Sequence, residues 1–180
     1  MKVLITGIGI VGKSTLRRQL LQKMRAAGAK VEHFDADCFD ITRHPLDVDC
    51  LKEIPKEFSA DTIYLIEDVH ATMSQAIMPL PEYNLIVYLK VGAITQILFW
   101  LSRITHWLAV GQYSWEAKTG WQGNNKPYSL PNLLGILKNL FRNISHRKRW
   151  IEEDWQKIGQ HPNIQIVQVR WSRRGPKYTF

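Results

Sequence analysis

Cysteine is scarce in this chain: Cys38 and Cys50 are the two among 180 residues. That excludes a disulfide scaffold and fits a reducing compartment. His33, Cys38, His44 and Cys50 are close in sequence, but they lack zinc-ligand spacing, so chance proximity explains them better. An unbroken apolar run of membrane length is also missing. Val91 to Val110 is apolar for long stretches, yet Gln96, Arg103 and His106 interrupt it, which argues against a membrane span. The opening MKVLITGIGIVG resembles a signal peptide only superficially, because the run meets Lys13 without a small-residue cleavage site. The expected compartment is the cytoplasm. Acids are few in the second half: residues 91–180 hold 13 Lys/Arg against 4 Asp/Glu, whereas residues 1–90 hold 11 against 12. Such a basic half suits a polyanionic partner, nucleic acid included; a generally basic surface explains it equally well.

What is present supports one domain over residues 1–180. The length suits a single domain, and 45% hydrophobic residues with 7 Trp can fill a core. The strongest signal is Gly7-Ile8-Gly9-Ile10-Val11-Gly12-Lys13-Ser14-Thr15, which reads G-x-x-x-x-G-K-S. The apolar run Lys2 to Thr6 precedes it, as a buried parallel strand should. A helical pattern follows, with Leu16, Leu20 and Met24 in register and Gly28 as a natural stop. In this context the glycines let backbone N–H groups approach a phosphate, and the helix aims its positive end there. Lys13 is expected to reach the β/γ-phosphates and Ser14 to ligate Mg²⁺, with Thr15 on the next phosphate back. Gly7, Gly9, Ile10, Val11 and Gly12 complete the expected nucleotide cradle. No N/T-K-x-D guanine-reading motif is present, which favours ATP over GTP.

Ala29 to Phe34 reads as a second strand running into Asp35-Ala36-Asp37. Residues two apart share a strand face, so Asp35 and Asp37 can both face the cleft at the strand's carboxyl end. A carboxylate there can take a proton from an acceptor hydroxyl or hold Mg²⁺ through water; a polar turn is the plain alternative. Residues 41–61 read as a loop with a short helix. The run Thr62 to Ile66 ends in Glu67 and Asp68, as a Walker-B-like strand does, and one of the two acids is expected near the metal beside Ser14. Glu67 is favoured if Ile63 and Leu65 share its face. A short helix is expected from Val69 through Met78.

Asn84 to Val91 is a fourth strand, and Ala93 to Val110 a helix with Ile94, Ile97, Leu98, Leu101, Ile104 and Leu108 on one face. That face suits packing on the sheet or a homodimer. Residues about 111–131 form an insertion rich in Gly, Asn, Pro and aromatics, able to stack a base or to pack down on the domain. Leu133 to Ile158 reads as one helix or two. Arg142 and Arg149 are seven apart and share a face with His146, so they suit a lid that clamps phosphate charge; a solvated basic face is as good a reading. Asn163 to Val169 is a fifth strand with the alternation of an edge. The basic tail after it can border a nucleotide base or touch a polyanion.

On GIGIVGKST, DADCF, LIEDVH and NLIVYLKV, the chain resembles P-loop kinases of the nucleoside/nucleotide-kinase type, over most of residues 1–110 and 132–170. DADCF is similar to the acidic turn of adenylylsulfate, uridine and polynucleotide kinases. The resemblance implies that Asp37 serves the acceptor hydroxyl, and that Arg142 to Arg149 lie where lid arginines fall. Asp40 stands where many such kinases carry an Arg. The implied fold is a three-layer α/β/α domain with a five-stranded parallel sheet, order 2-3-1-4-5, and a helical lid at about 132–157. The implied activity is ATP- and Mg²⁺-dependent phosphoryl transfer to a hydroxyl of a nucleoside, nucleotide or related metabolite. A polynucleotide kinase and a non-enzymatic nucleotide switch are the alternatives.

Overall fold

A computed structural model describes residues 1–9, 11–36, 57–72, 74–110 and 130–180. Ile10, Asp37, the rest of the acidic turn, the loop to residue 56 and the insertion at 111–129 lie outside the described residues.

The centre of the protein is β1 (Lys2–Thr6), with all but Lys2 buried. It can be apolar throughout because it has a parallel neighbour on each side, β3 (Ile63–Glu67) and β4 (Leu85–Val91). Outside these lie β2 (Val31–Asp35) on β3 and β5 (Ile164–Arg170) on β4, both parallel. The strand order is β2-β3-β1-β4-β5-β6, a mixed α/β architecture with a mostly parallel sheet of six strands, not five. The sixth, β6 (Lys177–Thr179), pairs antiparallel with the last three residues of β5. The expected edge at β5 is therefore covered at its carboxyl end.

Alternate strand residues fill two cores. Val3, Ile5, Leu65, Val87, Leu89, Val167 and Val169 point to the face covered by α1 (Lys13–Ala26), where Leu16 and Leu21 meet them. Leu4, Tyr64, Ile66, Ile86 and Tyr88 point to the other face, against Met78, Tyr83 and Ile158. α1 ends as its sequence suggests. Gly28 takes φ +80, and the amide of Ala29 returns to the carbonyl of Met24.

The short helix after β3 begins later than its sequence suggests. α2 spans Ser74–Ile77, because His70 and Ala71 take positive φ (66° and 45°) and break any helical start at Val69. α3 spans Ala93–Val110 as expected, but of the expected apolar face only Ile104 is buried. Gln96, Trp100 and Ile104 are buried, whereas Ile94, Leu101 and Leu108 are 76%, 47% and 50% exposed. Trp100 and Ile104 pack on Leu140 of α4 (Leu130–Ile158), a single helix of 29 residues. Pro131 is tolerated in its first turn, where no intrahelical N–H bond is lost. α4 passes from one sheet face to the other. Trp150 and Ile151 join the α1-side core, and Ile158 joins the opposite one.

Candidate active site

The G-x-x-x-x-G-K-S segment turns between β1 and α1, at the carboxyl end of the central strand. Two of its glycines have no substitute. Gly7 has φ +140, and a Cβ there would meet the Leu89 carbonyl oxygen at 2.8 Å. Gly12 has φ +88, and a Cβ there would meet the Tyr178 hydroxyl at 2.9 Å. Both conformations are costly for any residue with a Cβ. Ile8 and Val11 fill the core and so anchor the loop from within.

Lys13, 5% exposed, lies along the loop, and its Nζ donates to the carbonyls of Gly7 (3.1 Å) and Ile8 (3.0 Å). The next residue, Ser14, donates its hydroxyl to Glu67 Oε1 at 2.6 Å. Glu67 also faces Arg17 across a buried ion pair at 3.1 Å. Ile63 and Leu65 pack into the α1-side core, so Glu67, on the same strand face, points at α1. Asp68 points elsewhere: fully buried, it accepts from the Ser74 amide at 2.7 Å and holds the start of α2. Asp35 pairs in register with Glu67 across β2 and β3, and so lies beside it on the same face at the sheet's carboxyl edge.

These residues fit a magnesium-bound nucleoside triphosphate. Gly12, the residue capping α1, offers no side chain to its amides, and the first turn holds no acid, so the donors an anion would use are not taken by a carboxylate. Among the described residues no group of three or more His, Cys, Asp or Glu forms a metal cage. A metal at a phosphate loop needs none, because phosphate and water oxygens complete its shell.

Of the two arginines singled out in the sequence, Arg142 is exposed and Arg149 pairs with Glu153 at 3.2 Å on the helix surface. Arg147 turns inward instead, and its guanidinium donates to the Val91 carbonyl at the end of β4. The reason is angular. The Asn143 side-chain oxygen lies 3.1 Å from where a Cβ on Gly9 would sit. Arg147 is one turn further along that face, while Arg142 and Arg149 lie about 140° and 160° from it round the helix.

No family model and no curated protein matches this chain. Among solved structures it is similar to one titled as a possible uridine kinase from Bacillus stearothermophilus. The two share 18% identity, with 60% of this chain and 81% of that chain covered, at a TM-score of 0.35. No helix among the described residues is long and apolar enough to cross a membrane.

Sequence reasoning missed three supports of the loop. Gln96, fully buried on α3, donates its Nε2 to the Gly9 carbonyl at 2.9 Å. Tyr178, on β6, donates its hydroxyl to the Gly12 carbonyl at 2.6 Å. The third is the 68–74 turn, which the Ala71 amide ties to the Thr6 hydroxyl at 3.0 Å, one residue before the loop.

That turn carries strain of about 1–3 kcal/mol at each positive-φ residue, and side chains from α4 hold it in place. Lys157 Nζ donates to the His70 carbonyl (3.0 Å) and to the Thr72 hydroxyl (2.9 Å). The fully buried Asp154 takes His70 Nδ1 at 2.9 Å and the Tyr88 hydroxyl at 3.4 Å. Burial, with the Asp154 carboxylate adding to it, pushes the Tyr88 phenol well above its ordinary range, so it stays a donor. Asp154→Ala is expected to destabilise the fold by about 1–3 kcal/mol, because the buried Tyr88 hydroxyl and the half-buried His70 lose their acceptor. Denaturant unfolding measures this; an unchanged midpoint would mean that the cluster does not hold α4 to the turn.

Proposed function

We propose that the chain is an ATP- and Mg²⁺-dependent phosphotransferase that moves a γ-phosphoryl group to a hydroxyl of a small acceptor of the nucleoside or nucleotide class. The observation that carries the reading is the P-loop assembly: two glycines in positive-φ turns, an α1 amide end free of carboxylates, Lys13 buried along the loop, and the Ser14 hydroxyl on Glu67 at 2.6 Å. Backbone amides of Gly9 to Ser14 would hold the phosphates, and Lys13 would swing from its own carbonyls onto the β/γ oxygens. Ser14 would hold magnesium, with Glu67 orienting the hydroxyl and accepting from a coordinated water. Bound magnesium would neutralise the charge that spreads over the transferring group. Asp37, or Asp35 beside Glu67 at the sheet edge, would take the acceptor's proton. Arg142, Arg147 or Arg149 of α4 would supply the cationic charge over the transferring group, with Arg147 on the side that faces Val91.

The test is ADP release from Mg·ATP against nucleosides, nucleoside monophosphates, small hydroxylated metabolites and hydroxyl-ended oligonucleotides. Stimulation by one small acceptor is expected. Stimulation by oligonucleotides alone would move the reading to a polynucleotide kinase. A flat panel with tight nucleotide binding would overturn transfer and leave a nucleotide-dependent switch.

A further inference from the structure

We propose that Tyr178 is a positioning residue of the nucleotide site, and that the β5–β6 hairpin exists to deliver its hydroxyl to the base of the P-loop. The inference rests on the nucleotide-binding reading above and extends it to a part of the chain that carries no phosphate motif.

The hairpin is small and specific in what it buries. β6 has three residues, of which Lys177 and Thr179 are exposed and Tyr178 is half-buried. The turn before it is closed from both sides: the Ser172 hydroxyl donates to the Gly175 carbonyl at 2.6 Å, and the Gly175 amide returns to the Ser172 carbonyl at 3.0 Å. Gly175, at φ +106, permits that closure. The result sets Pro176 and Tyr178 against one backbone atom group. A Cβ on Gly12 would lie 3.3 Å from Pro176 and 2.9 Å from the Tyr178 hydroxyl. The ring itself packs against the α1-side core.

The hydroxyl does more than fill space. The Gly12 carbonyl opens α1 and accepts from the Leu16 amide at 3.0 Å. Its second lone pair takes the Tyr178 hydroxyl at 2.6 Å. One phenol thus fixes the residue that opens α1, on the side of the segment away from where the phosphates would lie. A phosphate loop is poorly served by an Asp cap at its helix start, because that charge would repel the ligand. A neutral hydroxyl approaching from the core side stiffens the turn without that repulsion. Burial, with the nearby Glu67 adding to it, holds the phenol far above its ordinary range and so keeps it neutral.

Tyr178→Phe keeps the ring and removes the hydroxyl, and the Gly12 carbonyl retains its Leu16 amide. The expected result is a melting temperature within a few degrees of the parent and an affinity for Mg·ATP roughly tenfold weaker, the size of one hydrogen bond's net contribution. Affinity is read by titration calorimetry on the full chain. A parent and a variant that bind Mg·ATP equally well would overturn the proposal and leave the nucleotide reading standing. A parent that binds no nucleotide would remove both. Hydrogen exchange on the parent serves where the variant folds poorly. Saturating Mg·ATP should slow exchange at residues 176–179, and unchanged exchange there would overturn the proposal.

Discussion

Lys13→Ala should cut phosphoryl transfer by about 10²–10³-fold or more, the loss seen when one preorganised donor to a developing anion is removed, while the fold survives. The structure explains why the two effects separate. Lys13 Nζ is spent on the carbonyls of Gly7 and Ile8, at 3.1 and 3.0 Å, which are groups of its own loop. The residue is 5% exposed. Removing the ammonium costs two charge-assisted hydrogen bonds to loop carbonyls, each about 1.5–3 kcal/mol in net terms, and touches no bond of the sheet ladder. What it deletes is the mobile charge beside the phosphate cradle. Turnover with the best acceptor and the melting temperature should be measured together. Undiminished turnover would show that this loop is not where transfer happens, and a collapsed melting temperature would show that Lys13 is chiefly a structural group.

The largest stability effect is expected at Glu67. Its carboxylate accepts from Ser14 at 2.6 Å and faces Arg17 at 3.1 Å, with the side chains 6% and 8% exposed. Glu67→Ala leaves a buried guanidinium without this partner, and breaking such pairs costs about 3–5 kcal/mol. It also frees the Ser14 hydroxyl, so the magnesium concentration needed for half-maximal turnover should rise. Glu67→Gln keeps the shape and can still accept from Ser14, so it should fall between parent and alanine in stability. Urea unfolding of the three proteins, with turnover against magnesium, reads both. If the alanine variant unfolds at the parent's midpoint, the pair adds nothing to the fold.

The sequence foreshadows the central parts well and the supports poorly, for physical reasons. β1, β3 and β4 are buried on both faces, so they appear as apolar runs at Lys2–Thr6, Ile63–Glu67 and Leu85–Val91. The loop between β1 and α1 needs glycine at two positive-φ positions, which leaves a literal mark. α3 is apolar nearly all round, and its periodicity cannot tell the side of Trp100 and Ile104 from that of Ile94 and Leu101. Arg142, Arg147 and Arg149 are alike in composition; only the angle at which α4 meets Gly9 and Val91 turns Arg147 inward. His70 and Asp154 meet across 84 residues and carry no spacing signal. β6 is too short for any pattern, so Tyr178 is invisible until the hairpin folds. Asp37, the base the resemblance favours, lies outside the described residues.

The bond from Tyr178 to Gly12 spans 166 positions, and it orders events in time. Contacts so distant in sequence form late, because closing the chain must precede any reward. A nascent chain can pair β1 with β3 and β4 long before residue 178 leaves the ribosome. The turn at Gly12 then lacks the hydrogen bond that Tyr178 supplies. The contact that steadies Gly12 therefore forms only after the strands flanking the loop are available to pair, so the loop is the last part of this sheet edge to become rigid.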